Sequence, residues 1–382
     1  MCPPAAAPFD AIVLGAGPAG SSASIVLARG GRRVLLLEKA RFPRPKVCGE
    51  FLSPDAVASL RTLGVLAAVE RARPERIARG SLHWTGGRSV WFDLPEPALG
   101  ISRLVLDDLV ARAAADAGAD TRFEARALSV ESGDPDGFRV RYSEAQTEHE
   151  ARARFVVGAW GRWDPLDRKL ERGFARARSR YFGWSRDYLG DTAGLAGDVR
   201  LYFFPGGYCG LSRVEGGRVN LAGVVAEKVL RGGNDGWEGV VERARGSNRA
   251  LDADLASLTP GPTGFLGAGP VFFTGKPPSE DGILMAGDAA GVIDPFSGEG
   301  QATAFASGIL AGETIEESLR AGHSAGQTAS LYARAWKRSY GRRFKWSSVF
   351  RRLLLNPRLG RLAAALPGAK RLIPLAMGAL RN

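Results

Sequence analysis

Histidine, methionine and cysteine each occur only three times in this 382-residue chain, and their scarcity excludes several chemistries. The histidines stand apart at positions 83, 149 and 323, so neither a histidine metal centre nor a Ser-His-Asp triad is expected. Cys2, Cys48 and Cys209 are odd in number and form no C-x-x-C pair, which speaks against a disulfide framework and for a reducing compartment. No run of about eighteen apolar residues occurs, so no membrane-spanning helix is expected. The opening MCPPAAAPFD has no basic segment leading into an apolar core, and no signal peptide is read there. A solenoid-length repeat is also missing. These absences point to a cytoplasmic protein that carries its chemistry elsewhere than on a metal or a disulfide.

What is plentiful is glycine, at fifty residues, and positive charge, at net +12. A 45% hydrophobic and 24% charged composition is that of a soluble globular protein, long enough for one large or two medium domains. The charge raises nucleic acid, anionic membranes and anionic substrates as partners. Its distribution matters more than its sign. From Gly341 to Asn382 there are ten Arg or Lys residues and no acid. Trp336, Tyr340 and Phe344 recur at four-residue spacing leading into it and share one helix face. Basic helices with aromatics suit an anionic membrane surface, and the tail is expected to lie peripherally on one; a helical cap on the rest of the fold is the competing reading. Pro357, Pro367 and Pro374 cut the tail into pieces too short to span. No motif supports specific nucleic-acid binding.

The remainder is organised around Asp10 to Lys39, DAIVLGAGPAGSSASIVLARGGRRVLLLEK. Apolar runs at 11–14 and 34–37 read as buried parallel strands. Gly15, Gly17 and Gly20 between them form G-x-G-x-x-G: a tight turn, an open backbone for a pyrophosphate, and a close helix–strand contact. The following helix turns its free N–H groups and positive dipole end to the phosphates. Glu38, eighteen residues after Gly20, is placed to accept both ribose hydroxyls of an adenosine, which favours FAD or NAD over NADP.

Downstream, a helix is expected from Ser53 or Asp55 to about Leu63, and a hairpin over Ser81–Leu94 about Gly86-Gly87. A helix opens at Arg103 and ends at Gly118. Arg122–Arg154 reads as an antiparallel meander, and Phe155–Ala159 as a separate buried strand. Aromatic strands follow at Tyr181–Trp184, Leu201–Phe204, Tyr208–Val214 and Arg218–Val225, with a helix at Trp237–Arg245. Ile283–Ala286 is another buried strand, and helices run from Gly300 to Leu319 and from Leu331 to the end.

Three blocks, GAGPAGSSAS with Glu38, FPRPKVCGEFLSPDA, and GILMAGDAAGVIDPFSGEGQATAFASG, make the chain resemble FAD-dependent oxidoreductases of the p-hydroxybenzoate hydroxylase fold, and among them the geranylgeranyl reductase-like family. The resemblance spans about Asp10–Leu319. It implies an α/β chain with a Rossmann-like FAD-binding domain at 8–80, 102–164 and 265–325. An inserted antiparallel β-sheet substrate domain would occupy 81–101 and 165–264, and a basic C-terminal helical segment 326–382. It implies cofactor contacts from Gly15, Gly17, Ala19, Gly20, Glu38, Lys39, Cys48, Gly49, Arg103, Gly287, Asp288, Pro295, Gly298 and Gly300. Asp288 would hold a ribityl hydroxyl, and Arg103 would lie near the phosphates. Cys48 is a candidate redox or proton-donating thiol beside the ring, being also readable as a buried small residue, and Glu50 is a candidate to bind or relay a proton. Tyr202, Phe204 and Tyr208 either line an apolar substrate cavity or fill sheet core.

The pattern departs from the hydroxylases at Trp160-Gly161, where they carry an Asp-Gly pair that contacts FAD and NADPH. With no second G-x-G-x-x-G, NAD(P)H is expected as a transient donor or not at all. The expected activity is hydride transfer from reduced flavin to carbon–carbon double bonds of an apolar isoprenoid or polyene. The alternatives are a flavin monooxygenase acting on an aromatic or polyketide-like substrate, and a membrane-associated electron-transfer flavoprotein. Substrate identity and oligomeric state are not legible.

Overall fold

The structure, a computed structural model, describes residues 7–133, 137–176, 178–232, 235–273 and 275–355. Its strands are β1 (Phe9–Leu14), β2 (Val34–Leu37), β3 (Phe51–Leu52), β4 (Glu75–His83), β5 (Ser89–Gly100), β6 (Asp120–Arg122), β7 (Ala125–Gly133), β8 (Gly137–Glu144) and β9 (Thr147–Gly158). Then come β10 (Tyr181–Gly190), β11 (Asp198–Phe204), β12 (Gly207–Arg213), β13 (Val219–Ala226), β14 (Leu258–Ala268), β15 (Ser279–Glu280) and β16 (Ile283–Met285). The helices are α1 (Pro18–Arg29), α2 (Pro54–Thr62), α3 (Leu66–Arg71), α4 (Arg103–Asp116), α5 (Pro165–Lys169), α6 (Glu227–Leu230), α7 (Gly236–Ser247), α8 (Arg249–Leu255), α9 (Gly300–Ala321) and α10 (Ala325–Leu355).

These strands form two sheets. The first runs β15-β16-β9-β1-β2-β6, with β7 and β8 continuing from β9. Its centre is parallel, Ala11–Leu14 lying against Val34–Leu37 on one side and Phe155–Gly158 on the other. Strands buried on both faces need apolar side chains at every position, and β2 is VLLL throughout. The second sheet runs β14-β10-β13-β12-β11-β4-β5-β3 and is antiparallel except where β4 meets β11. Helices α1 and α9 pack so closely that a Cβ on Gly308 would stand 2.0 Å from the Ala19 carbonyl oxygen.

Some sequence expectations are corrected. The meander and the strand at 155–159 are one element: β9 pairs antiparallel with β8 up to Ala153, then parallel with β1 from there to Gly158. Strand β14 was not expected, because Pro260, Gly261, Pro262 and Gly264 break its pattern. It sits at a sheet edge, where a missing N–H breaks no ladder bond. Trp336, Tyr340 and Phe344 do share a face of α10, but that face packs inward. Trp336 and Tyr340 are buried, Phe344 lies against them, and the Tyr332 hydroxyl donates to the Met285 carbonyl at 2.7 Å. These aromatics therefore dock the helix on the first sheet and do not face a membrane. The tail beyond Leu355 lies outside the described residues.

Candidate active site

A cavity of about 840 Å³ opens where the C-terminal ends of the parallel strands face the second sheet. The glycine turn forms its floor. Gly15 has φ +107°, and a Cβ there would meet the Ala159 carbonyl oxygen at 2.5 Å. A Cβ on Gly20 would be driven onto the Gly15 carbonyl oxygen at 1.8 Å. Gly17 differs: the nearest atom to a Cβ there is Lys46 Nζ at 3.9 Å, so its open side faces the cavity. Gly17 N-caps α1 without any side-chain cap, leaving the first N–H groups of the helix to a ligand.

Glu38 is buried at the end of β2. Its carboxylate accepts from the Ala16 N–H at 2.9 Å and the Ala40 N–H at 3.1 Å, which fixes its orientation beside the turn while leaving acceptor capacity. Lys39 lines the same wall and pairs with Asp164 at 2.6 Å. At the opposite side, Gly287 takes φ +62° and donates to Ser307 Oγ, which turns Asp288 into the cavity wall. Asp294 accepts from the Phe296 N–H and caps the turn Pro295–Ser297; Gly298, at φ +69°, then leads into α9 at Gly300. Pro295, Gly298 and Gly300 all line the cavity. Together the open Gly17 face, the uncapped helix, the fixed Glu38 and the Asp288 turn fit a flavin dinucleotide.

The segment 46–50 crosses between these two ends. Cys48 Sγ accepts from the Glu50 N–H at 3.3 Å and from Gln301 Nε2 at 3.6 Å, and the Arg103 guanidinium is also within hydrogen-bond range of it. Burial pushes the Cys48 thiol up despite the pull of Arg103, so it stays protonated near neutrality. Glu50 holds φ +56° and accepts from the Arg103 N–H at 2.9 Å. Burial pushes its carboxyl up to about 7, the Arg103 N–H opposing and the Glu215 carboxylate adding to the rise. Gly49, between them, lines the cavity with both.

Arg103 lines the cavity too, but its guanidinium is engaged in a two-point ion pair with Asp107, at 2.6 and 2.8 Å. Lys46 reaches the same carboxylate at 2.5 Å. Burial works against charge on Asp107, yet Arg103 and Lys46 together hold its pKa below the usual range. Arg103 thus sits in a buried ion cluster under Cys48.

Of the three aromatic candidates for the substrate wall, Tyr208 lines the cavity and Tyr202 and Phe204 do not. Register explains it: Phe203 lies opposite Tyr208, so residues 202 and 204 point through the sheet to the other face. Tyr202 is fully buried there, donates to Asp254 Oδ2, and stacks on His83 at 5.0 Å. The cavity side of β11 carries Val199 and Leu201 instead. These, with Phe92, Leu94, Val224 and Leu266, are wall residues the sequence reading missed; strict alternation from Tyr208 across the hairpin was the signal that would have found two of them. Gly20 packs beneath the turn and is not on the cavity surface. Trp160 lines the cavity where related hydroxylases place an acid, and its indole N–H donates to Asp167 at 3.2 Å. Among the described residues no group of acids, histidines and cysteines is arranged to hold a metal ion.

This fold and cradle define a flavoprotein oxidoreductase, and comparison with known proteins agrees. Residues 9–192 match the FAD binding domain family. The chain is 31% identical over 368 residues to menaquinone reductase of Mycobacterium tuberculosis, spanning 91% of this chain and 83% of that protein. It is 29% identical over 374 residues to digeranylgeranylglycerophospholipid reductase 2 of Methanopyrus kandleri, spanning 94% and 90%. Among solved structures it is similar to the myxobacterial chondrochloren halogenase CndH, at 25% identity and TM-score 0.80 over 90% of this chain and 82% of that one. A geranylgeranyl bacteriochlorophyll reductase-like protein of Thermoplasma acidophilum shares the fold at TM-score 0.81 and 19% identity, over 97% and 95%. The chain belongs to the geranylgeranyl reductase-like family of FAD-dependent oxidoreductases.

Proposed function

We propose that the enzyme reduces carbon–carbon double bonds in an apolar isoprenoid or polyene chain. The observation that carries this is the position of Glu50, a protonatable carboxyl in the wall of a cavity shared by the flavin cradle and an apolar sheet face. Saturating an alkene adds a hydride to one carbon and a proton to its neighbour. Bound FAD supplies the redox half of that chemistry, taking electrons from a donor and passing them on as hydride. The chain's own residues supply the rest. Gly17, the α1 N-terminus, Glu38 and Asp288 hold the cofactor. Leu201, Tyr208, Val224 and Leu266 orient the chain and exclude water. Glu50, fixed by the Arg103 N–H, gives up its proton and regains one from solvent. Cys48 is an alternative donor on the same segment, its thiol kept protonated by burial. The reductase names of the sequence relatives support a reductive reading.

NAD(P)H is the proposed donor, docking transiently, and the basic tail is proposed to rest on an anionic membrane surface from which an apolar substrate is drawn. A second reading, oxygenation or halogenation, draws on the CndH likeness. Anaerobic reduction followed by addition of an isoprenoid or of oxygen separates the two. Saturated product without oxygen is the expected result. Oxygenated product, formed only when oxygen is admitted, would overturn it. Flavin that reduces and reoxidises without converting any organic substrate would favour an electron-transfer role.

A further inference from the structure

Beside the Asp288 turn lies a buried charge that the proposed reaction does not use. Strands β9 and β16 run parallel, and their pairing ends at Gly158 and Met285. One more bond, from the Ala286 N–H to the Gly158 carbonyl at 3.0 Å, closes the ladder. Past it the chains part into 159–164 and 287–291. Both stretches line the cavity, Trp160, Arg162 and Trp163 on one side and Gly287 and Asp288 on the other. Lys276 joins them. The side chain is buried, and its ammonium donates to the Arg162 carbonyl at 2.6 Å and the Asp288 carbonyl at 2.9 Å. Its own N–H donates to the Ala290 carbonyl at 3.0 Å, and Gly275 bridges to Gly291, so the backbone bearing the lysine is pinned to the same turn.

The acceptors of this ammonium are dipoles, not ions. The Phe174 ring receives it face-on, with Nζ 4.0 Å from the centroid. The charged groups around it are Asp167 on α5, Arg172 just past that helix, Arg162 on the loop and Asp288 on the turn. Asp167 is committed elsewhere. It accepts from Arg172 Nη1 at 2.9 Å, Trp160 Nε1 at 3.2 Å and the Asp164 N–H at 2.8 Å, and with Arg172 it forms a fully buried pair. Burial lowers the Lys276 pKa to about 8, Asp167 and Asp288 opposing through space, so the ammonium form prevails at neutral pH. Burying a cation is costly unless an opposite charge offsets it. The wall that Lys276 backs is the one that holds an anionic dinucleotide.

We propose that Lys276 is a positioning residue for the flavin. It staples the Arg162 loop to the Asp288 turn, and its charge, one peptide group behind the cavity wall, favours the reduced cofactor, which carries added negative charge, over the oxidised one. This concerns the cofactor alone and holds whichever organic substrate the enzyme takes.

The test uses full-length wild type, Lys276→Met and Lys276→Gln, each as apoprotein and FAD-loaded. Methionine removes both the charge and the donors; glutamine removes the charge and keeps an N–H donor for the carbonyls. Titrating FAD into apoprotein gives the affinity, and anaerobic dye-coupled reduction gives the flavin potential. Lys276→Met is expected to bind FAD about 10- to 100-fold more weakly, and Lys276→Gln to lose less. In both variants reduced FAD should lose about tenfold more affinity than oxidised FAD, which reads as a potential about 30 mV below wild type. A potential unchanged or raised in the two variants overturns the proposal however much FAD binding weakens, because a merely structural lysine would loosen both forms alike. A potential lowered in Lys276→Met but not in Lys276→Gln assigns the effect to loop geometry and also overturns it. So does unchanged FAD affinity in Lys276→Met. Should Lys276→Met fail to fold, Lys276→Gln decides the question by its potential.

Discussion

Glu50 is the residue on which the proposed chemistry turns, and its protonation gives a direct check. A carboxyl raised from 4.5 to about 7 binds its proton more tightly in the fold than in the unfolded chain. The stability it contributes is full below about 4.5 and is lost as pH rises through about 7. Glu50→Gln should therefore melt above wild type at pH 8 but not at pH 4, a gap approaching ~3 kcal/mol from the 2.5-unit rise; parallel melting profiles would refute it. Turnover should fall in wild type as pH rises through about 7, and Glu50→Gln should slow saturation by about 10²–10⁴-fold while flattening that limb. Stopped-flow reoxidation with product analysis measures both. Cys48 is the control. Cys48→Ser should keep most of the rate if Glu50 is the donor, and a loss beyond a hundredfold (~3 kcal/mol) would move the role to the thiol. The raised acid was not legible in the sequence. Its burial comes from α4 and the second sheet closing over a short polar segment, a tertiary effect with no local signature.

At the scale of elements, the glycine turn separates binding from folding. Gly17→Val should weaken FAD retention by at least a hundredfold with little change in apoprotein melting, because its Cβ projects into open cavity. Gly20→Ala should destabilise the apoprotein itself by about 1–3 kcal/mol, because its Cβ lands on backbone. Equal effects of the two on the apoprotein would contradict the geometry. On β11, Leu201→Trp should raise the substrate KM at nearly unchanged stability, whereas Tyr202→Phe should cost about 1–3 kcal/mol at unchanged KM. The βαβ unit was legible because its pattern is local: two apolar runs, spaced glycines and a closing acid. The face of β11 was not. The first half of that strand does alternate, Asp198 and Arg200 against Val199 and Leu201, but Tyr202–Phe204 is aromatic on both faces, because α7 and α8 cover one side of that end and the cavity lies on the other. Strand β14 was hidden for the opposite reason, its prolines and glycines being tolerated only because it is an edge.

For the whole molecule, α10 is the element whose role changed most. Its aromatic face reads equally as a membrane face or as core, and only the hydroxyl of Tyr332 on Met285 and the burial of Trp336 decide between them. Removing 322–382 should expose that core and yield insoluble protein without FAD. Removing only 356–382 should leave folding and FAD binding intact while lowering co-sedimentation with anionic vesicles; unchanged sedimentation would end the membrane proposal. Among the described residues no helix is long and apolar enough to cross a bilayer. The central strand order of the first sheet has a consequence during synthesis. Residues 9–14 wait for partners at 34–37 and 153–158, β9 then waits for β16 at 283–285, and Tyr332 locks β16 last. The second sheet has all its strands by residue 268. A nascent chain on the ribosome can thus assemble the second sheet while the flavin cradle still lacks β16 and the turn at Pro295–Ser297. Ribosome-arrested chains ending near 300 should resist protease across 181–268 and capture no FAD.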